Sequence, residues 1–130
     1  MTLQRTSKPS IVLVEDDAAL RDLLTDVLAT SGFLVTVIRL AEDAIETLRV
    51  TPADLLVLDL VMPTGTMQGA ELLALLRETE AWRYVPVVIL SGYGEVVNPD
   101  IMARLGAGAV LTKPLAHVDI LPTTIRALLA

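Results

Sequence analysis

Residues 11–17 read Ile11-Val12-Leu13-Val14-Glu15-Asp16-Asp17, four apolar side chains followed by three acidic ones. A short apolar run without polar alternation is typical of a strand that is covered on both faces of its sheet. Further runs of this kind are strand candidates at residues 33–38, 55–58, 85–90 and 109–112. The run at 85–90 carries Pro86, which suits the first residues of a strand. The sequence therefore predicts five strands.

Apolar residues recur at helical spacing between and after these strands. The pattern predicts helices over residues 18–31, 41–50, 69–80, 98–105 and 119–129. Gly32 and Gly106 stand just past two of these segments, where a left-handed residue commonly ends a helix. Asp17, Asn98 and Asp119 stand where side-chain caps are expected to start three of them.

Strand and helix alternate five times along the chain, which favours right-handed crossovers between parallel strands. We expect an α/β fold: a doubly wound five-stranded parallel sheet in three αβα layers. Residues 1–10 are polar and include Pro9, so we expect a flexible leader there. Residues 11–130 are then one domain, which suits a chain of 130 residues.

The composition narrows the class of protein. There is no cysteine, which excludes disulfides, cysteine-ligated zinc and thiol catalysis. The formal charge of −6 argues against nucleic acid as a direct partner, because no basic excess is available to neutralise phosphates. No apolar stretch approaches the roughly 20 residues that a membrane helix requires, and no signal peptide opens the chain. We expect a cytoplasmic protein that does not bind membranes.

Charged and hydroxyl side chains follow the predicted strands at their carboxyl ends, where open parallel sheets form their sites. These residues are Glu15, Asp16, Asp17, Asp59, Ser91 and Lys113. Clustered carboxylates repel one another, and oxygen ligands without histidine or cysteine suit Mg²⁺. A carboxylate held against Mg²⁺ beside a lysine and a hydroxyl can attack a phosphoryl group.

Four motifs at these strand ends carry a family resemblance. They are Val14-Glu15-Asp16-Asp17, Leu58-Asp59-Leu60-Val61-Met62-Pro63, Leu90-Ser91-Gly92, and Gly106-Ala107 with Leu111-Thr112-Lys113-Pro114. Together and in this order they resemble the receiver domain of two-component response regulators, the CheY-like superfamily, from about residue 8 to 129. The resemblance implies the flavodoxin-like (βα)5 fold and phosphorylation of one aspartate by a histidine kinase or a phosphotransfer protein.

The resemblance also implies a role for each matching residue. Asp59 matches the phosphoacceptor, Ser91 the hydroxyl that moves toward the phosphoryl group, and Lys113 the lysine that pairs with it. The Mg²⁺ site is expected to comprise Glu15, Asp16, Asp59 and the backbone carbonyl of Val61. Pro114, after the lysine, matches a position with a cis peptide in many relatives. The protein is then not an enzyme, except that it catalyses its own phosphorylation and dephosphorylation.

Two departures from the family pattern concern the switch rather than the chemistry. Many receivers carry an aromatic residue three positions before the lysine, where this sequence has Val110, and Tyr93 is the nearby substitute. The loop over residues 64–69 is longer than in common relatives. We expect Val61 and Tyr93 to tune the access of water to the site.

Smaller expectations concern three further residues. Trp82 and Tyr84 are expected to pack the turn between the third helix and the fourth strand. His117 is expected to be a surface loop residue rather than a phosphotransfer histidine.

The expected partners are proteins. Phosphorylation would switch the face formed by the fourth helix, fifth strand and fifth helix toward a downstream protein target, and the same face could form a homodimer. Because the sequence ends just after the fifth helix, we expect a stand-alone receiver or a piece of a larger regulator.

Two alternatives remain open at the level of sequence. One is a binding module with the receiver fold that acts without phosphorylation, which Val110 favours. The other is a phosphatase of the haloacid-dehalogenase type. That family requires a second aspartate where Val61 stands here, which argues against it.

Overall fold

The computed structural model describes residues 8–61, 66–92 and 99–130. Within these ranges the strands are β1 (Ser10–Val14), β2 (Leu34–Ile38), β3 (Leu55–Asp59), β4 (Val87–Ser91) and β5 (Ala107–Thr112). The α-helices are α1 (Ala18–Thr30), α2 (Ala41–Val50), α3 (Gly69–Glu78), α4 (Pro99–Arg104) and α5 (Ile120–Leu129). A 3-10 turn at Glu80–Trp82 follows α3. Across these same ranges, none of the helices combines the length and the apolar character that crossing a membrane requires.

The strands form one parallel sheet in the order β2-β1-β3-β4-β5. From β1 the chain first builds outward to β2 and then crosses back to β3, β4 and β5. The order therefore reverses between β1 and β3, and this reversal opens a crevice at the carboxyl ends of the two strands. The predicted doubly wound sheet is confirmed.

Two buried clusters lie on opposite faces of this sheet. Successive strand residues point to alternate faces, so the four apolar residues of β1 contribute two to each cluster. On one face Val12 and Val14 pack with α2, α3 and Met102 of α4. On the other face Ile11 and Leu13 pack with α1 and α5. The continuous apolar runs are thus explained by burial on both faces.

The predicted helix ends are confirmed at some positions and wrong at one. Asp17 caps α1, since its Oδ1 accepts a hydrogen bond from the backbone N–H of Leu20 at 2.8 Å. Gly32 and Gly106 have positive φ angles of 97° and 74°, which glycine adopts without a steric penalty. The prediction for Asp119 is wrong: its backbone is already helical, and its side chain makes no capping hydrogen bond. Asn98 lies outside the described residues.

The two aromatic residues between α3 and β4, Trp82 and Tyr84, differ in their burial. Trp82 is buried, and its indole Nε1 donates to the backbone carbonyl of Leu48 at 2.7 Å, so its predicted packing is confirmed. The prediction for Tyr84 is wrong, because 87% of this residue is exposed. Trp82 fills the space beside α2, and Arg77 bonds to carbonyls on both sides of Tyr84 in the chain. His117 is exposed, as predicted.

Candidate functional site

The strand order brings the chemically important residues to one edge of the sheet. β3 lies between β1 and β4, and its last residue is Asp59. Glu15 and Asp16 follow the end of β1 on one side, while Ser91 ends β4 on the other. β5 lies next to β4 and leads directly into Lys113. Parallel strands therefore deliver separate parts of the chain to one place.

Three carboxylates form the acidic part of this site. Glu15 is 0% exposed and Asp59 is 1% exposed, whereas Asp16 is half-buried. One carboxylate oxygen from each lies within 4.8 Å of those of the other two. Two buried acids and a third at their rim are unfavourable when all are ionised, unless a cation lies among them.

Lys113 places a positive charge against the two buried acids. Its Nζ donates a hydrogen bond to Asp59 Oδ1 at 3.1 Å and lies 3.5 Å from Glu15 Oε2. The backbone positions this side chain, since the N–H of Lys113 donates to the carbonyl of Ser91 at 2.7 Å. The peptide bond between Lys113 and Pro114 is cis. One ammonium group thus faces two carboxylates.

Burial dominates the electrostatics of the two inner acids. Desolvation, followed by the charge of Asp59, raises the pKa of Glu15 to about 7. Desolvation also raises the pKa of Asp59, although the hydrogen bond and charge of Lys113 oppose that rise. The pocket therefore disfavours a second negative charge, and a bound cation would reverse this effect.

Ser91 and Val61 take up backbone positions beside Asp59. Asp59 pairs in register with Leu90, the residue before Ser91, and Ser91 is buried at 3% exposure. Val61 lies two residues past Asp59 with 42% of its surface exposed. Both therefore belong to the same edge of the sheet as the acidic cluster, while Tyr93 lies outside the described residues.

The pocket has the donor set that a small hard cation requires. Among the described residues, Oε2 of Glu15 and Oδ2 of Asp59 are buried without a hydrogen-bond partner. Glu15 Oε2 has its ion-pair contact with Lys113 Nζ at 3.5 Å, but buried carboxylate oxygens without a hydrogen bond, beside a third carboxylate, fit a divalent cation with oxygen ligands. Glu15, Asp16 and Asp59 are the side chains that would hold it.

The α3 helix starts in direct contact with the end of β3. The N–H of Gly69 donates to the carbonyl of Leu60 at 3.0 Å, and a Cβ atom on Gly69 would collide with the carbonyl oxygen of Asp59. The N–H of Gln68 donates to Glu71 at 3.2 Å, which closes the first turn of the helix. Only glycine permits this approach, which holds the start of α3 against the backbone of Asp59 and Leu60.

The sequence did not identify two charged residues that anchor loops near the site. Arg21 Nη1 lies 3.3 Å from the backbone carbonyls of Glu15 and of Asp16. Glu42 Oε2 accepts hydrogen bonds from the N–H and hydroxyl of Thr66 at 2.9 and 3.0 Å. The position of Arg21, one helical turn after Asp17, is a sequence signal that its side chain can reach the backbone before the helix. Glu42 and Thr66 are far apart in the chain, and no local pattern connects them.

Comparison with known proteins agrees with this geometry. The family model of the response regulator receiver domain matches residues 11–125. A 14.6 kDa protein from the sodA1 3′ region of Leptolyngbya boryana is 32% identical over 119 residues, covering 92% of this chain and 89% of that protein. The transcriptional regulatory protein BaeR of Escherichia coli is 30% identical over 86% of this chain and 45% of its own. The response regulator FleR of Pseudomonas aeruginosa is 36% identical over 80% and 21%. The chain therefore spans less than half the length of the last two.

Solved structures show the same architecture. The receiver domain of the Francisella response regulator 1452 superposes with a TM-score of 0.81 at 26% identity, covering 93% of this chain and 96% of that one. The chemotaxis response regulator CheY4 of Vibrio cholerae has a TM-score of 0.83 at 20% identity, covering 93% and 98%, and this likeness concerns the fold alone. With its motifs, its sheet order and a family match over most of its length, the chain belongs to the response regulator receiver domains of two-component signalling systems.

Proposed function

We propose that this receiver accepts a phosphoryl group on Asp59 from a histidine kinase or a histidine phosphotransfer protein, with Mg²⁺ bound at Glu15, Asp16, Asp59 and the carbonyl of Val61. The observation that carries the proposal is the pairing of Lys113 Nζ with Asp59 at 3.1 Å beside two further carboxylates. A buried aspartate with a purely structural role would not require a lysine and two further carboxylates around it. The combination matches what phosphoryl transfer to a carboxylate requires.

Each side chain has a distinct part in the proposed transfer. A carboxylate oxygen of Asp59 forms the new O–P bond while the P–N bond to the donor histidine breaks, and the histidine nitrogen keeps the electron pair and takes up a proton. Lys113 and the hydroxyl of Ser91 would stabilise the charge on the phosphoryl oxygens. Mg²⁺, when bound, would neutralise the remaining charge. Burial of Asp59 limits the access of water.

An apolar groove beside the acidic pocket is a candidate binding site for the donor protein. It has a volume of about 470 Å³ between α1 and the segment that joins β5 to α5. Its apolar lining includes Leu20, Leu23, Pro114 and Val118, and Lys113 belongs both to this lining and to the acidic pocket. We propose that a helix carrying the phosphohistidine packs there, since the donor side chain must reach Asp59.

The proposed output is a change at the face formed by α4, β5 and α5. β5 lies at the edge of the sheet, and among the described residues one side of it has no strand neighbour. Val110 of this strand is 41% exposed, at the position where many receivers carry an aromatic residue. We propose that drawing Ser91 and Lys113 toward the phosphoryl group shifts the equilibrium of this face, which then binds a downstream protein or a second copy.

The decisive experiment is labelling by a small phosphodonor. Purified protein incubated with labelled phosphoramidate and Mg²⁺ should gain one phosphoryl group, and removing Mg²⁺ should prevent this. Asp59→Asn should abolish the labelling, while Asp26→Asn, which changes an exposed acid on α1, should leave it intact. Equal labelling of Asp59→Asn would refute the phosphoacceptor. Partner binding that is independent of phosphorylation would favour a module that works without it.

A further inference from the structure

Arg21 connects α1 to the backbone that carries two of the proposed metal ligands. One nitrogen of its guanidinium, Nη1, lies 3.3 Å from the carbonyl oxygen of Glu15 and 3.3 Å from that of Asp16. The side chain is half-buried and emerges from the first turns of the helix. A single charged donor is thus shared between two consecutive peptide groups.

The remaining bonds of this turn tie the same backbone to the helix. The N–H of Asp17 donates to Glu15 Oε1 at 3.1 Å, and the N–H of Arg21 donates to the carbonyl of Asp17 at 2.8 Å. With the cap from Asp17 to Leu20, α1 holds residues 15–17 through both its main chain and its side chains. These bonds constrain the backbone from which the Glu15 and Asp16 side chains project.

We propose that Arg21 is a positioning residue for the cation site: it holds the 15–16 backbone so that both carboxylates converge with Asp59. The inference rests on the proposed function, because it concerns the same Mg²⁺ site. Carboxylates within 4.8 Å of one another repel, and a turn without this bond can relax by moving them apart. Groups that orient metal ligands in this way commonly have large effects on metal affinity.

The two possible effects of Arg21 on a cation have opposite signs. As a nearby positive charge, Arg21 repels Mg²⁺, so removing that charge alone should tighten binding. As a positioning residue it favours Mg²⁺, so removing it should weaken binding. The direction of the change in affinity therefore separates positioning from a simple charge effect.

The experiment measures Mg²⁺ binding by calorimetric titration of the full chain. Arg21→Met keeps an apolar stem but no donor, and we expect its Kd for Mg²⁺ to rise about tenfold. Arg21→Lys keeps a charged donor and should recover most of the affinity. Arg49→Met is the matched control, because it removes the same charge from an exposed side chain on α2.

Each outcome has a defined meaning. Weaker binding by Arg21→Met, with wild-type binding by Arg49→Met, supports the proposal. Unchanged or tighter binding by a folded Arg21→Met overturns it. Circular dichroism checks the fold, and if Arg21→Met is unfolded, Arg21→Gln is titrated in its place with the same expected loss. A wild-type chain that binds no Mg²⁺ instead overturns the proposed metal site, so the two failures are distinguishable.

Discussion

Glu15 stands at the end of β1 with its carboxyl group fully buried beside Asp59 and Lys113. Its pKa rises from 4.5 to about 7, first through burial and then through the charge of Asp59. Between about pH 4.5 and 7, the folded, metal-free protein therefore keeps a proton on Glu15. The unfolded chain has released this proton in the same range. This proton favours the folded state at low pH, and its contribution is lost as the pH rises toward 7.

We expect the metal-free wild type to lose stability through this window relative to Glu15→Gln. The difference in the free energy of unfolding should change by about 2–3 kcal/mol between pH 4.5 and 8, since one unit of pKa corresponds to about 1.4 kcal/mol. Urea unfolding with a chelator present measures it. Glu46→Gln, an exposed acid on α2, is the control and should show no such difference. Parallel pH profiles for wild type and Glu15→Gln would contradict the prediction.

At the scale of elements, Arg77 at the end of α3 fastens three parts of the fold. Its Nη1 donates to the backbone carbonyls of Trp82, Arg83 and Val85 at 2.8, 3.2 and 2.7 Å. Its Nε and Nη2 donate to the carbonyls of Leu105 and Gly106 at 2.6 and 3.0 Å. The guanidinium thereby joins α3 to the segment before β4 and to the turn between α4 and β5, and burial lowers its pKa.

Arg77→Lys should destabilise the protein although it keeps the charge. A lysine has one nitrogen and cannot supply the planar fork that reaches five carbonyls, so some of these would lose their donor. We expect a loss of about 2–3 kcal/mol in the free energy of unfolding, measured with urea. Arg83→Lys changes an exposed arginine nearby and should cost much less. Equal losses of stability for the two substitutions would show that the guanidinium geometry of Arg77 does not stabilise the fold.

The proposed docking of the donor in the groove between α1 and the segment after β5 leads to a separate prediction about phosphotransfer. Leu23 is 46% exposed in this groove, so Leu23→Asp should place a charge where the donor helix packs and slow transfer from a histidine kinase that phosphorylates the wild type. Labelling by phosphoramidate should not change, because that donor needs no protein contact. Val50→Asp, at a residue 81% exposed on α2, is the control. Equal losses with both donors would place the effect on the pocket rather than on docking.

At the scale of the whole molecule, the sheet is covered on both faces and its chemistry is confined to one edge. The two clusters stabilise the strands independently of the acidic pocket. We therefore expect the fold to withstand carboxylate repulsion at this edge, and the proposed metal to add stability by binding the folded state.

Mg²⁺ should accordingly raise the thermal unfolding midpoint. A ligand at about 100 times its Kd adds about 2.7 kcal/mol to the free energy of unfolding. Asp16→Asn should abolish the Mg²⁺-dependent shift and stabilise the metal-free form, because it removes one of three clustered negative charges. Asp26→Asn, at an exposed residue of α1, should keep the shift. A midpoint that does not respond to Mg²⁺ in the wild type would contradict the site.

Much of this architecture could be predicted locally. Apolar runs such as 11–14 predict buried strands, because strands covered on both faces have no polar side. The convergence of the acids at 15, 16 and 59 can be predicted, because parallel strands end at one edge of the sheet. The helix ends at Gly32 and Gly106 can be predicted, because a positive φ angle favours glycine. Asp119 was misassigned, since a capping residue type does not determine backbone geometry.

The helices and strands, their alternation and the chemistry at the strand ends can be predicted from the sequence, since they depend on short-range periodicity and residue type. The sheet order, the pKa of Glu15 and the bonds of Arg21 and Arg77 depend on the folded chain. Sheet order depends on long-range pairing, and the pKa depends on burial from all sides. Arg77 bonds to backbone carbonyls, which every residue carries, so its partners cannot be read from residue types, whereas for Arg21 only its spacing from Asp17 is a signal.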